Sequence, residues 1–161
     1  MTYMEKDVVR DAKNKAARFC AYQERAPKQV KEKLGTYGLP EDQVVKVMEE
    51  LVNEGFINEA RFATSYANGK FRLKKWGRLK IKLGLERYQL DPICIESVLR
   101  DIPTDEYIQI LTQLIEKKWN AVKTQDSYIR KHKVAQFALS RGFEPDLIWN
   151  LLKDLPLTGD N

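Results

Sequence analysis

A pattern recurs three times along this chain of 161 residues, and it constrains the fold more than any other feature. With Gly38, Gln89 and Gly142 aligned, the steps between copies are 51 and 53 residues. Eight positions before these anchors stand Val30, Ile81 and Val134, and four before stand Leu34, Leu85 and Ala138. One position after come Leu39, Leu90 and Phe143; six after, Val44, Ile95 and Ile148; nine after, Val47, Val98 and Leu151. Pro40, Pro92 and Pro145 fall two or three residues past the anchor. Each copy reads as a long helix, a shorter helix, a turn and a third helix. A unit this small buries too little surface to be stable alone, so neighbouring copies are expected to share a core. The expected fold is all-α: three tandem three-helix repeats forming an elongated, curved right-handed helical array. The expected boundaries are 1–54, 55–102 and 103–156, with a C-terminal tail at 157–161.

Helical spacing supports this element by element. Val8, Ala12, Ala16, Phe19, Cys20 and Gln23 recur at three and four, the mark of an amphipathic helix. Val44, Val47, Met48, Leu51 and Val52 do so behind Pro40-Glu41-Asp42, a proline and two acids that signal a helix start. Asn58 is placed to cap a helix that buries Phe62, Ala63, Tyr66 and Ala67. Asp91-Pro92 opens another, with Ile95, Val98 and Leu99 inward. Thr104 is expected to cap a helix carrying Ile108, Leu111, Ile115 and Trp119, and Pro145 to start one carrying Ile148, Leu151, Leu152 and Leu155. One stretch reads differently on its own. Arg78-Leu79-Lys80-Ile81-Lys82-Leu83-Gly84-Leu85 alternates basic and apolar residues, which is a strand pattern, and Gly84 weakens a helix. The repeat register makes it a helix with Ile81, Leu85 and Tyr88 inward, and a lone strand would have no partner.

Charge is unevenly spread. The chain carries 28 Lys+Arg against 23 Asp+Glu, a formal net charge of +5. Lys70 to Arg87 holds eight basic residues and one acid, a net of +7. Lys117 to Arg141 holds seven basic residues and one acid, a net of +6, which leaves −8 for the rest. A single basic block is commonly a solvated helix face. Two such blocks on an otherwise acidic chain point to a surface for a polyanion or an acidic protein.

Several functions lack the residues they need. Cys20 and Cys94 form no metal-ligand spacing and fit small core thiols in a reducing compartment. The single histidine, His132, stands among cations in Arg130-Lys131-His132-Lys133, without an orienting acid beside it. Neither a Walker A loop nor a GxGxxG pattern occurs, so no cofactor is implied and no enzyme is expected. The acid pairs Glu49-Glu50 and Asp105-Glu106 read as solvated helix faces. No apolar run nears the roughly 20 residues of a membrane span, and Met1 to Asp7 opens no signal peptide. Trp119 and Trp149 are expected in the core. Trp76 is expected as a core residue closing the turn between two helices, although its place beside Lys75 would also suit stacking on a base or anchoring a partner. Tyr37 and Tyr88 read as inter-helix packing, and Phe62 and Tyr66 as core.

Local motifs add a family likeness. Asn58-Glu59-Ala60-Arg61-Phe62-Ala63-Thr64-Ser65-Tyr66 resembles the acidic-x-x-Arg-Phe-Ala-x-x-Tyr segment of the RecX family. Trp76-Gly77-Arg78-Leu79-Lys80-Ile81-Lys82 is similar to its aromatic-Gly-Pro-x-Arg-Ile segment. Lys133-Val134, Leu139-Ser140-Arg141-Gly142-Phe143 and Asp146-Leu147-Ile148 resemble its C-terminal motif, and the likeness spans about residues 8–154. Arg78 stands where the family usually has Pro, and Leu83-Gly84 replaces a usual Gln-Glu pair.

The resemblance implies a cytoplasmic bacterial regulator of homologous recombination, DNA repair and the SOS response. Such a protein binds the RecA filament on single-stranded DNA, lies in its helical groove and inhibits the ATPase, strand-exchange and coprotease activities of RecA. On that reading Lys70, Arg72, Lys74, Lys75, Arg78, Lys80 and Lys82 form the central contact surface for RecA or DNA. Lys117, Lys118, Arg130, Lys131, Lys133 and Arg141 extend it. About half should touch the partner, since a helix presents its side chains all round. A monomer suffices for groove binding, with no membrane and no metal involved. The alternative is a helical-repeat protein that binds single- or double-stranded DNA directly through its basic face.

Overall fold

The computed structural model describes residues 2–153 and 155; the expected tail at 157–161 lies outside them. The described residues form helices α1 (Tyr3–Tyr22), α2 (Pro27–Thr36), α3 (Glu41–Asn53), α4 (Glu59–Arg72), α5 (Arg78–Arg87), α6 (Pro92–Arg100), α7 (Thr104–Ala121), α8 (Ser127–Ser140) and α9 (Pro145–Lys153), with no strand among them. The all-α reading with three successive helix triplets is therefore correct.

Local chemistry sets the helix starts. Thr2 and Glu5 cap α1 reciprocally, each side chain taking the other's backbone N–H. Asn58 accepts from the Arg61 amide at 2.8 Å, as expected for the start of α4. Asp126 caps α8 by accepting from Tyr128 and Ile129. At α7 the cap position belongs to Pro103, and Thr104 is the first helical residue, so the expected threonine cap is displaced by one. The repeat anchors share a backbone state. Gly38, Gln89 and Gly142 all have positive φ, at 79°, 57° and 92°. Each ends the second helix of its triplet in the left-handed conformation that turns the chain toward the third.

The alternating stretch 78–85 is helical, as the register required. Ile81 and Leu85 are fully buried, while Leu79 and Leu83 on the other face remain 45% and 58% exposed.

Contacts group the chain into two compact units. One holds the residues up to Tyr66 with Leu85–Glu96; the other holds Ala67–Gly84 with the residues from Ser97 onward. In the first, α1, α2 and α3 pack on one another around Ala16, Val30, Leu34, Val47 and Leu51. Phe62, Tyr66 and Tyr88 add an aromatic cluster with ring centroids 5.0 to 6.0 Å apart. In the second unit α7 packs against α8 and α9. Its largest fully buried side chains include Tyr107, Phe71 and Phe143, with Tyr107 stacked on Phe71 and tilted against Phe143.

Some inward assignments need correction. Val8 and Val52 are about half exposed, because only the 12-16-20 and 44-47-51 stripes reach the core. Trp149 is 37% exposed and meets the edge of His132, so it is not a core residue. On α7 the buried position is Tyr107, one residue before Ile108, which is only half buried. Cys20 is buried, but Cys94 is only partly covered.

Candidate binding surface

Every one of the thirteen predicted basic-site residues falls within the second unit. By sequence that unit carries sixteen Lys+Arg and nine Asp+Glu, a net of +7, against −2 for the first. Lys70 and Arg72 stand on the last turn of α4, Lys74 and Lys75 in the loop after it, and Arg78, Lys80 and Lys82 on α5. Lys117 and Lys118 end α7; Arg130, Lys131 and Lys133 lie on α8; and Arg141 caps its C-terminus.

The loop between α4 and α5 is held by backbone. The Gly77 amide donates to the Arg141 carbonyl at 2.7 Å, and the Leu79 amide to the Gly142 carbonyl at 2.9 Å. Between them, the Arg78 amide donates to the Tyr107 hydroxyl at 3.0 Å. Three consecutive N–H groups at the head of α5 are thus satisfied, two of them by the C-terminal end of α8, so the partial charges of the two helix ends complement each other. This approach needs both glycines. A Cβ on Gly77 would fall on the Gly142 carbonyl, and a Cβ on Gly142 would fall on Lys80. The sequence motifs around Trp76-Gly77 and Arg141-Gly142-Phe143 are two halves of one joint.

The arginines are engaged in structure. Arg78 pairs with Glu144 at 2.8 Å, and its guanidinium lies 3.8 Å from the Tyr107 ring centroid. The Tyr107 hydroxyl in turn donates to Glu144. Burial, and next the bond to Glu144, hold the Tyr107 hydroxyl well above its ordinary pKa. Arg72 makes two bonds to Glu106, at 3.1 and 3.3 Å. Arg130 donates to the Trp119 carbonyl at 2.9 Å and lies over that indole.

The lysines are placed differently. Lys74, Lys75, Lys82, Lys117 and Lys133 are exposed. Lys70 and Lys80 lie 4.8 and 4.5 Å from the centroid of Trp76, which is half-buried and not the core residue expected, so this ring gathers charge. Lys118 and Arg141 lie 4.8 and 5.1 Å from Phe137 in the same way.

One hollow draws the two basic blocks together. A cavity of about 410 Å³ is rimmed by Lys75, Lys117, Lys118 and Arg141 and floored by Ile110, Leu114, Ala121 and Phe137. Lys75 comes from the first block and the other cations from the second. A second hollow of about 470 Å³ shares Lys118, Ala121 and Phe137 with it and adds Lys123 and Lys133. Lys70, Arg72, Lys80 and Lys82 line neither of these hollows. Lys123 was not among the predicted site residues, and the apolar floor went unremarked. Its only sequence signal is a second apolar stripe on α7, outside the core stripe.

Models of the first, second and third three-helix domains of RecX match residues 12–51, 58–99 and 105–152. The chain belongs to the RecX family. It is 30% identical to the regulatory protein RecX of Clostridium perfringens strain 13, over 89% of this chain and 68% of that protein. It is 26% identical to that of Clostridioides difficile strain 630 over the same shares. Against the regulatory protein RecX of Levilactobacillus brevis, 26% identity extends over 98% of this chain but 59% of the relative. The crystal structure of RecX from Lactobacillus salivarius superposes with a TM-score of 0.87 at 26% identity, covering 94% of this chain and 99% of that one. A RecX family member is a regulatory protein by the names of these relatives, and its tandem three-helix fold is shared with the solved RecX.

Proposed function

We propose that this chain regulates recombination by binding the RecA filament on single-stranded DNA, in the filament groove, and inhibiting the ATPase, strand-exchange and coprotease activities of RecA. The observation that carries this reading is the concentration of all thirteen predicted basic-site residues in one unit of a RecX-family fold. Exposed lysines at Lys74, Lys75, Lys82, Lys117 and Lys133 supply the contacts, acting as a monomer in the cytoplasm. The arginines Arg72, Arg78 and Arg130 serve the fold beneath them.

The test is RecA ATP hydrolysis on single-stranded DNA with substoichiometric amounts of the chain. Inhibition is expected, and Lys74→Glu/Lys75→Glu should remove it while the far-UV helical signal stays unchanged. Absence of inhibition by the unaltered chain would remove the reading.

Direct DNA binding is the second reading. It is favoured by the exposed Tyr128, 71% accessible, whose ring lies 4.4 Å from His132, which in turn meets Trp149. Such a row beside Lys131 and Lys133 suits base stacking. Tight binding to bare single strands, with log affinity falling steeply as log salt rises (a slope of about −0.7 per phosphate contact), would favour it.

A further inference from the structure

α7 carries more apolar surface than its core requires. Tyr107, Leu111, Ile115 and Trp119 face inward and are buried. Ile110, Leu114 and Ala121 form a second stripe at spacings of four and seven, outside that core, and with Phe137 of α8 they floor the 410 Å³ hollow. A helix face turned to water is normally polar, so an apolar stripe left there is a surface for something else. Cations surround this one, and no carboxylate lines either hollow. Among the described residues, Lys75, Lys117, Lys118 and Arg141 are in no ion pair with an acid.

We propose that this hollow is a docking site for an acidic amphipathic segment of a partner protein. Its apolar side chains would seat against Ile110, Leu114 and Phe137, and its carboxylates would meet Lys75, Lys117, Lys118 and Arg141. Helix-in-groove recognition combines these two elements, an apolar stripe for affinity and rim charges for orientation. A nucleic-acid strand fits less well. Its bases need a free aromatic face, and the Phe137 ring already carries Lys118 and Arg141. Apart from Gln113 the rest of the uncharged lining is aliphatic, which suits peptide side chains. The inference rests on reading the basic surface as a partner-binding one, and it does not depend on RecA being that partner.

The probe is a fluorescein-labelled acidic amphipathic peptide of about four helical turns. Its carriers are Glu and Asp on one face and Leu and Phe on the other, and binding to the full chain is read by anisotropy. Two comparison probes are the same peptide with Ser replacing every Leu and Phe, and labelled oligo-dT. The amphipathic peptide should bind, and the Ser version should bind about tenfold or more weakly. Leu114→Gln should weaken the amphipathic peptide by about tenfold, and Lys117→Glu/Lys118→Glu should abolish binding, both with unchanged far-UV helicity. If Leu114→Gln loses helicity, Ile110→Gln replaces it, and the Ser comparison on the unaltered chain decides independently. Equal binding of both peptides overturns the proposal, because the floor is then unused. Oligo-dT binding that falls equally with Leu114→Gln also overturns it, because the hollow then takes nucleic acid. Inhibition of RecA without peptide binding sinks this proposal alone; peptide binding without inhibition of RecA sinks only the RecA reading.

Discussion

At Arg78 the chain puts an arginine at the first position of a helix, a position that proline often takes. Proline suits that position because the first amides of a helix have no partner within it. Here the amide has a partner, the Tyr107 hydroxyl, and the guanidinium reaches Glu144 over the same ring. Arg78, Tyr107 and Glu144 therefore form one partly buried group, in which each member satisfies the others. Arg78→Ala should lower the unfolding free energy by about 2 kcal/mol, since it leaves the partly buried Glu144 carboxylate without its cation, on the Tyr107 hydroxyl alone. Chemical denaturation of Arg78→Ala, Tyr107→Phe and the double variant should show strong non-additivity, with the double costing less than the two singles together. Tyr107 also predicts a pH dependence. Its folded pKa is raised, so the folded state holds a proton that the unfolded state releases above about pH 10. Its contribution is fully present below that pH and is lost as pH rises above it. Thermal midpoints should therefore fall more steeply in that range for the unaltered chain than for Tyr107→Phe.

At the scale of elements, the three left-handed anchors give a graded series. Gly38 and Gly142 take positive φ without a side chain to strain, whereas Gln89 takes it with one. Gln89→Gly should stabilise the protein by about 1 kcal/mol in urea unfolding. Gly38→Ala should cost about 1–2 kcal/mol from the left-handed backbone alone, since its Cβ would clash with nothing. Gly142→Ala should cost about 3 kcal/mol or more, because the added carbon would also land on the Lys80 backbone. The repeat alignment was readable in sequence because turn, apolar spacing and proline all recur with the backbone state. The same register overrode the alternation at 78–85, since burying Ile81 and Leu85 on one helical face leaves Leu79 and Leu83 as tolerable exposed residues. Tyr107 escaped the apolar count because its burial depends on Arg78 and Glu144, which are distant in sequence. Trp149 misled for the opposite reason: a large ring on an apolar stripe stays 37% exposed, with His132 against it in a T-shaped contact. The floor of the basic hollow was hidden because α7 carries two apolar stripes, and periodicity alone does not say which one the core takes.

At the scale of the molecule, charge divides with the compact units, +7 in one and −2 in the other. Charge reversal should then matter by unit and not by count. Lys117→Glu/Lys118→Glu should weaken inhibition of RecA ATPase by about tenfold or more at low salt. Lys6→Glu/Lys46→Glu, the same charge change in the first unit, should leave it within about twofold. The contrast should shrink as ionic strength rises and the Debye length falls below about 8 Å. The joint at Gly77 has a consequence for how the chain is made. The acceptor of its amide, the Arg141 carbonyl, lies 64 positions further on. While the ribosome is still synthesising α7, the head of α5 has neither of its two carbonyl partners. The nascent α5 must wait with its first amides in water, and it can take its final place only after Arg141 and Gly142 have emerged.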